Sequence, residues 1–340
     1  MKLKTRKSCW SNRVRRMGRA YALAVAAAIG LYAPPDAVEA EGAQQAQPIC
    51  IVVPHFKDEY WLSVGFGLRE EARRTGAELL IHESGGYHAL DRQVALLDTC
   101  RARGAGAVLL GAVSADDPSL LEAVARSARE MPVLALVNEL RAPDLAGAIG
   151  VDWRDMGRAV GDFLATRHPS GTAPVTIGFV TGPEDSGWSP LLEGGLRAGL
   201  AGSAAEIVVT RHADSGLREQ LREVEFVLRQ APGIDYLVGT APAVEGAMGL
   251  AARSDGDFPQ LIATYISHSV RRGLRNGQVV AVPFDDPVEQ GRIGVRMALE
   301  AMAGQRSEGT RGPVIRLIDA DAAKAGEITL SPADFKLPIE

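Results

Sequence analysis

The sequence predicts an α/β protein built as two doubly wound parallel-sheet lobes. Short runs of aliphatic and β-branched residues alternate with helix-period segments over most of the chain. The runs are apolar throughout, as strands buried on both faces of a parallel sheet must be. About five strand–helix units are followed by a similar set, which fits two sheets better than one. A closed barrel is the alternative.

The first run is PICIVVP (48–54), and the helical pattern WLSVGFGLREEARRTG (61–76) follows it, stopping at Gly76. AELLIHES (77–84) leads into ALDRQVALLDTCRARG (89–104), which stops at Gly104. Glycine at such a stop supplies the left-handed conformation that closes a helix. AGAVLLG (105–111) precedes SLLEAVARSAR (119–129), and PVLALVN (132–138) and GAIGVD (147–152) complete the first set. The second set runs through VTIGFVT (175–181), AEIVVTR (205–211), IDYLVGT (234–240), LIATYI (261–266), QVVAVPFD (278–285) and PVIRLID (313–319).

Residues 1–40 read as a cleaved secretory signal rather than as fold. Eight basic residues precede the apolar run AYALAVAAAIGLYA, and a small-residue site follows at Val38-Glu39-Ala40. The run is shorter than the roughly 20 residues that span a bilayer. Arg15-Arg16 lacks the hydrophobic flank expected of twin-arginine export. The leader holds eight of the 37 basic residues and two of the 42 acidic ones, so the remainder has a net charge of −11. Such an acidic chain is ill suited to nucleic acid, whose phosphates need clustered Lys and Arg. No later segment is apolar enough to cross a membrane.

Cys9 leaves with the leader, and Cys50 and Cys100 remain. An even pair in an exported chain predicts a disulfide, two buried free thiols being the alternative. The positions agree: Cys50 opens the first strand and Cys100 closes the second helix, which runs back toward the strand starts.

Ligands of open α/β sheets sit outside the carboxyl ends of the strands. Beyond the leader the chain has three Trp (61, 153, 188) and four Tyr (60, 87, 236, 265). All but Tyr236 fall at the carboxyl end of a predicted strand. Their joint placement on one edge predicts an aromatic-lined cleft. Trp188, in GPEDSGWSP, reads as packing within an exposed loop, with a wall of the cleft as the other reading.

No catalytic constellation accompanies these rings. The sequence has no G-x-S-x-G elbow, no H-E-x-x-H and no phosphate-binding Walker loop. Its six histidines are dispersed, and only His82 and His88 are placed to meet near the cleft; no metal or other cofactor is expected. The basic run Ser269–Arg275 reads as the solvated face of a helix.

Layout and motifs together resemble the type I periplasmic binding proteins, the ribose-binding and repressor-core superfamily. Within it they are similar to the sensor proteins that detect trimethylamine N-oxide. The residues carrying this are KDEYWLS (57–63), EAR (71–73), GGY (85–87), Cys100, AVLLG (107–111), LVN (136–138), Trp153, VGTAPAVEGAMG (238–249) and YISHSVRRGLRNG (265–277). The resemblance spans residues 48–335 in order. It implies periplasmic location, ligand binding without catalysis, and three crossovers near Val151–Asp152, Asp285–Asp286 and Gly312–Pro313. On that basis 41–151 plus 286–312 form the N-lobe, and 152–285 plus 313–335 the C-lobe.

It also implies a ligand and a partner: trimethylamine N-oxide between the lobes, reported to the periplasmic domain of a sensor histidine kinase in a two-component system. Aromatic faces attract methylated cationic nitrogen through the ring quadrupole, so Tyr60, Trp61, Tyr87, Trp153 and Tyr265 suit that ligand. Asp285 and Asp58 are the acidic candidates. Asp285 stands where sugar-binding relatives place a polar contact, with Asp286-Pro287 reading as a helix start; Asp58 reads alternatively as solvent-facing beside Lys57. The competing function is a transport-linked binding protein for a sugar or another small solute. Sugar clefts need many amide and charged groups beside the rings, and these loops hold few.

Overall fold

In the computed structural model, which describes residues 47–325 and 328–339, the chain folds around two six-stranded sheets. The expected leader lies outside the described residues. The first lobe contains β1 (Ile49–Val53), α1 (Glu59–Thr75), β2 (Leu79–Glu83), α2 (Leu90–Ala102), β3 (Ala107–Leu110), α3 (Pro118–Ala128), β4 (Val133–Leu136) and β5 (Gly147–Ile149). The chain then enters the second lobe as α4 (Trp153–Arg167), β6 (Val175–Thr181), α5 (Ser189–Leu200), β7 (Ala205–His212), α6 (Leu217–Gln230) and β8 (Tyr236–Gly239). It continues there with α7 (Ala241–Ala251), β9 (Gln260–Ala263), α8 (His268–Asn276) and β10 (Val279–Phe284). Next, α9 (Pro287–Met302) packs on α1, and β11 (Thr310–Arg311) joins the first sheet. The chain ends in the second lobe with β12 (Arg316–Asp319) and α10 (Ala320–Ala325). It therefore passes between the sheets three times: after β5, after β10 and after β11.

The first sheet has the order β11-β5-β4-β3-β1-β2 and the second β12-β10-β9-β8-β6-β7. Every pair is parallel except β10–β12, which is antiparallel. Two open sheets exclude the barrel alternative. Two details escape the sequence pattern. PVIRLID forms an edge strand running against its neighbour, and Thr310–Arg311 is too short and polar to announce itself.

Sequence chemistry explains the boundaries that matter for the cleft. Asp58 caps α1 by accepting from the Tyr60 N–H at 3.0 Å. Gly76 closes the helix with φ of 74°. Asp286 caps α9, with Pro287 in its first turn. Cys50 and Cys100, both fully buried, are joined as a disulfide with Cα atoms 5.8 Å apart.

Residues 328–339 lie across both lobes. The carbonyl of Ser331 meets His268 Nε2 on α8 at 2.7 Å, its N–H donates to Ser63 on α1, and Phe335 packs edge-on to Phe66 of α1. Among the described residues no helix is long and apolar enough to cross a membrane.

Candidate functional site

Carboxyl ends of strands from both sheets face one another across the cleft, and aromatic side chains fill the space. Tyr60 and Trp61 stand in the first turn of α1, just after β1, and Tyr87 follows β2. From the other lobe, Trp153 begins α4, Trp188 precedes α5 and Tyr265 follows β9. These six rings line a single cavity. Ring centroids lie 5.4 Å apart for Tyr60 and Tyr265, 5.2 Å for Trp153 and Trp188, and 6.1 Å for Tyr87 and Trp188. Most are edge-on or tilted, the arrangements that the ring quadrupole favours. Each ring is 5% exposed or less. The cavity is about 10 Å³, the room of about one water molecule.

Two glycines make the seats. A Cβ at Gly111, at the end of β3, would stand 2.6 Å from the Trp61 ring, and one at Gly182, at the end of β6, 2.2 Å from the Trp188 ring. Trp188 is thus a buried member of the ring cluster, which corrects its reading as exposed-loop packing. A loop rich in turn residues gave no local sign that its tryptophan turns inward. Tyr236 starts β8 at the opposite end of the sheet, where its hydroxyl meets His168 at 2.9 Å.

The acidic candidates act through the tyrosines. The Tyr265 hydroxyl donates to Asp58 Oδ2 at 2.6 Å, across the cleft. Tyr60 donates to Asp285 Oδ2 at 2.6 Å, and Gln290 Nε2 donates to the same oxygen at 2.8 Å. Asp58 is 4% exposed and lines the cavity, so the solvent-facing alternative is excluded. Asp285 is fully buried behind Tyr60, its Oδ1 without a partner. Burial is the main force on both carboxyls, because desolvation disfavours the charged form. It pushes each up to about 6 against the tyrosine hydrogen bonds. Burial beside these carboxylates holds the Tyr60 and Tyr265 hydroxyls well above the usual phenol range.

Other cleft residues went unpredicted. Asn138, after β4, donates to the Tyr87 hydroxyl at 3.1 Å and to the Ala112 carbonyl at 2.8 Å. Val137 beside it has φ of 68°, a strained conformation for a β-branched residue. Its carbonyl accepts from the Trp153 indole at 3.0 Å, tying a C-lobe ring to the end of an N-lobe strand. After β7, Asp214 accepts from the Tyr87 N–H at 3.1 Å and meets His55 at 3.4 Å and His88 at 3.2 Å. Burial would raise Asp214, but hydrogen bonding and charge from His55, with the N–H groups of Tyr87 and Ser215, outweigh it and lower it to about 2. All these residues sit at strand ends, so the rule applied to the aromatics would have found them had it been extended to Asn, Asp and Ser.

His88 pairs with Asp214, while His82 is buried in β2 with Nε2 unpartnered, so the two do not meet as a pair. Among the described residues no group of three or more His, Cys, Asp or Glu is placed to hold a metal ion.

Known proteins match this chain in sequence and fold. The periplasmic binding protein domain family matches residues 49–306. The periplasmic protein TorT of Escherichia coli strain K12 is 35% identical over 297 residues, covering 86% of this chain and 84% of that protein. The solved complex of the TorS sensor domain with TorT, in the presence of TMAO, is 32% identical with a TM-score of 0.76, covering 86% of this chain and 100% of that one. An ABC transporter solute-binding protein from Bradyrhizobium sp. BTAi1, solved with bound bis-tris, is 34% identical with a TM-score of 0.73, covering 87% and 90%.

Proposed function

We propose that this chain, which belongs to the periplasmic binding protein family and within it is a relative of TorT, is a periplasmic sensor component that binds trimethylamine N-oxide. It passes the signal to the periplasmic domain of a TorS-like sensor histidine kinase. The observation that carries this reading is the cavity: six aromatic rings from two lobes around a space of about 10 Å³. A methylated cationic nitrogen gains from each ring face, about 0.5–2 kcal/mol per contact when desolvated. A sugar would bring many hydroxyls into a space with few free partners. The cavity in this form has room for about one water molecule, so a methylated amine must move the rings outward to enter.

Ligand acts on the balance between open and closed forms. Tyr60, Trp61 and Tyr87 come with one lobe, and Trp153, Trp188 and Tyr265 with the other, so the cage is complete only on closure. The Tyr265–Asp58, Trp153–Val137 and Tyr87–Asp214 hydrogen bonds form in the same movement. A partner touching both lobes reads the result.

The test is calorimetric titration of residues 41–340 with trimethylamine N-oxide after clearing any carried-over ligand. Saturable one-to-one binding supports the reading. A folded protein giving no heat at millimolar ligand overturns it. The likeness to the Bradyrhizobium protein favours a second reading, in which the same cage delivers a small amine to a transporter. Ligand-dependent capture of a kinase sensor domain would decide against that.

A further inference from the structure

We propose that the indole N–H of Trp188 is the hydrogen-bond donor that recognises the ligand's negatively charged oxygen, and so separates an amine oxide from a plain methylated ammonium. The proposal rests on the ligand reading above and deepens it. Ring faces bind the methylated nitrogen of either molecule. Only a donor distinguishes them, since an oxygen enclosed without one forfeits the hydrogen bonds it had in water.

Most other side-chain donors around the cavity are engaged. Tyr60 donates to Asp285 and Tyr265 to Asp58. The Trp153 indole donates to the Val137 carbonyl, and both amide hydrogens of Asn138 serve Tyr87 and Ala112. The Trp61 indole interacts with the Tyr87 hydroxyl. Ser215 meets His55 Nε2 at 3.1 Å, where the imidazole tautomer sets which of the two donates. The carboxylate of Asp58 offers only acceptors. Trp188 differs: its ring is 2% exposed and lines the cavity, and its Nε1 has no acceptor. A buried N–H without a partner is costly and rare in a native protein, so this donor is placed for something that arrives. The Tyr87 hydroxyl accepts from Asn138, and its own hydrogen, with the Trp61 indole and the Ser215 hydroxyl, competes with Trp188 for the role; of these only Trp188 is a fully buried donor with no partner.

The experiment titrates residues 41–340 of the wild type, Trp188→Phe and Tyr87→Phe with trimethylamine N-oxide and with tetramethylammonium. The second ligand has the same number of non-hydrogen atoms and a methylated cationic nitrogen, but no oxygen. Trp188→Phe keeps a ring and removes the donor, so the amine oxide should bind about tenfold more weakly, as for loss of one hydrogen bond to a charged group. Tetramethylammonium should be nearly unaffected. Equal losses for both ligands, no loss for the amine oxide, or a selective loss confined to Tyr87→Phe would overturn the proposal. A folded wild type that binds tetramethylammonium but not the amine oxide would instead overturn the ligand reading, and the proposal with it. A second readout does not depend on Trp188→Phe folding. The three indole N–H resonances, assigned through Trp61→Phe and Trp153→Phe, are followed during titration. The Trp188 signal should move downfield with the amine oxide and not with tetramethylammonium; a signal that stays in place at saturation overturns the proposal.

Discussion

The hydroxyl of Tyr265, from the second lobe, donates at 2.6 Å to Asp58, the residue that caps the first helix of the other lobe. One carboxylate therefore starts a helix with one oxygen and latches the lobes with the other. Removing the hydroxyl leaves Asp58 Oδ2 unpaired in the closed form, a cost of about 1–3 kcal/mol. Tyr265→Phe should thus weaken ligand binding by about tenfold while keeping the ring. Calorimetry checks this, and an affinity within about twofold of wild type would remove the latch from the energetics of closure.

Asp285 predicts a pH dependence. Its folded value is raised to about 6 from an ordinary 3.8, so between these limits the native protein holds a proton that the unfolded chain has lost. The associated stability is complete below about 4 and disappears as pH rises through about 6. Asp285→Asn removes that slope, and by pH 7 should be more stable relative to wild type by about 1–3 kcal/mol than it is at pH 4. Thermal melts of both proteins from pH 4 to 7.5 measure it; parallel curves would show that Asp285 does not change protonation on folding.

Asp214 has the opposite sign. It is lowered to about 2, so its contribution is present above the ordinary carboxylate value and is lost as pH falls toward 2. Asp214→Asn should destabilise the protein at neutral pH, with the difference from wild type shrinking in acid. A deficit that grows as pH falls would contradict the assignment.

Gly182 gives the Trp188 ring its seat, and an added Cβ would stand 2.2 Å from that ring. The backbone of a β-strand end does not yield easily, so the ring must move. Gly182→Ala should cost about 1–3 kcal/mol of stability, as overpacking does, and should weaken ligand binding with it. Ala at Gly194, exposed within α5 where a Cβ meets nothing within 4 Å, is the control: it should leave binding unchanged and, by helix propensity, stabilise by about 0.5–1 kcal/mol. Urea denaturation and calorimetry on both variants distinguish a tight seat from a tolerant one.

The Cys50–Cys100 bridge ties residues 50 apart. A loop of that length restricts the unfolded chain enough to stabilise the fold by about 3–5 kcal/mol. The double variant Cys50→Ala, Cys100→Ala should lower the urea midpoint accordingly, with some loss from packing added. A drop below about 1 kcal/mol would show that the crosslink contributes little.

The sequence by itself determined the parts of this protein that depend on local chemistry and short periods. Buried parallel strands need continuous apolar runs, so most strands could be read directly. The caps at Gly76 and Asp286 announced helix ends because they act on neighbouring backbone. The rule that ligands meet strand ends turned scattered aromatics into Tyr60, Trp61, Tyr87, Trp153 and Tyr265 at one edge, and these line one cavity. Tertiary structure alone decided what crosses between the lobes. Tyr265 and Asp58 are 207 residues apart, and Tyr60 and Asp285 are 225 apart; no local pattern encodes such a pairing. It also decided the inward turn of Trp188, the strained backbone of Val137, and the antiparallel direction of β12. The physical reason is common to all of these. Periodicity reports which face of an element is buried, whereas the partner of a buried group is set by the chain's return from far away.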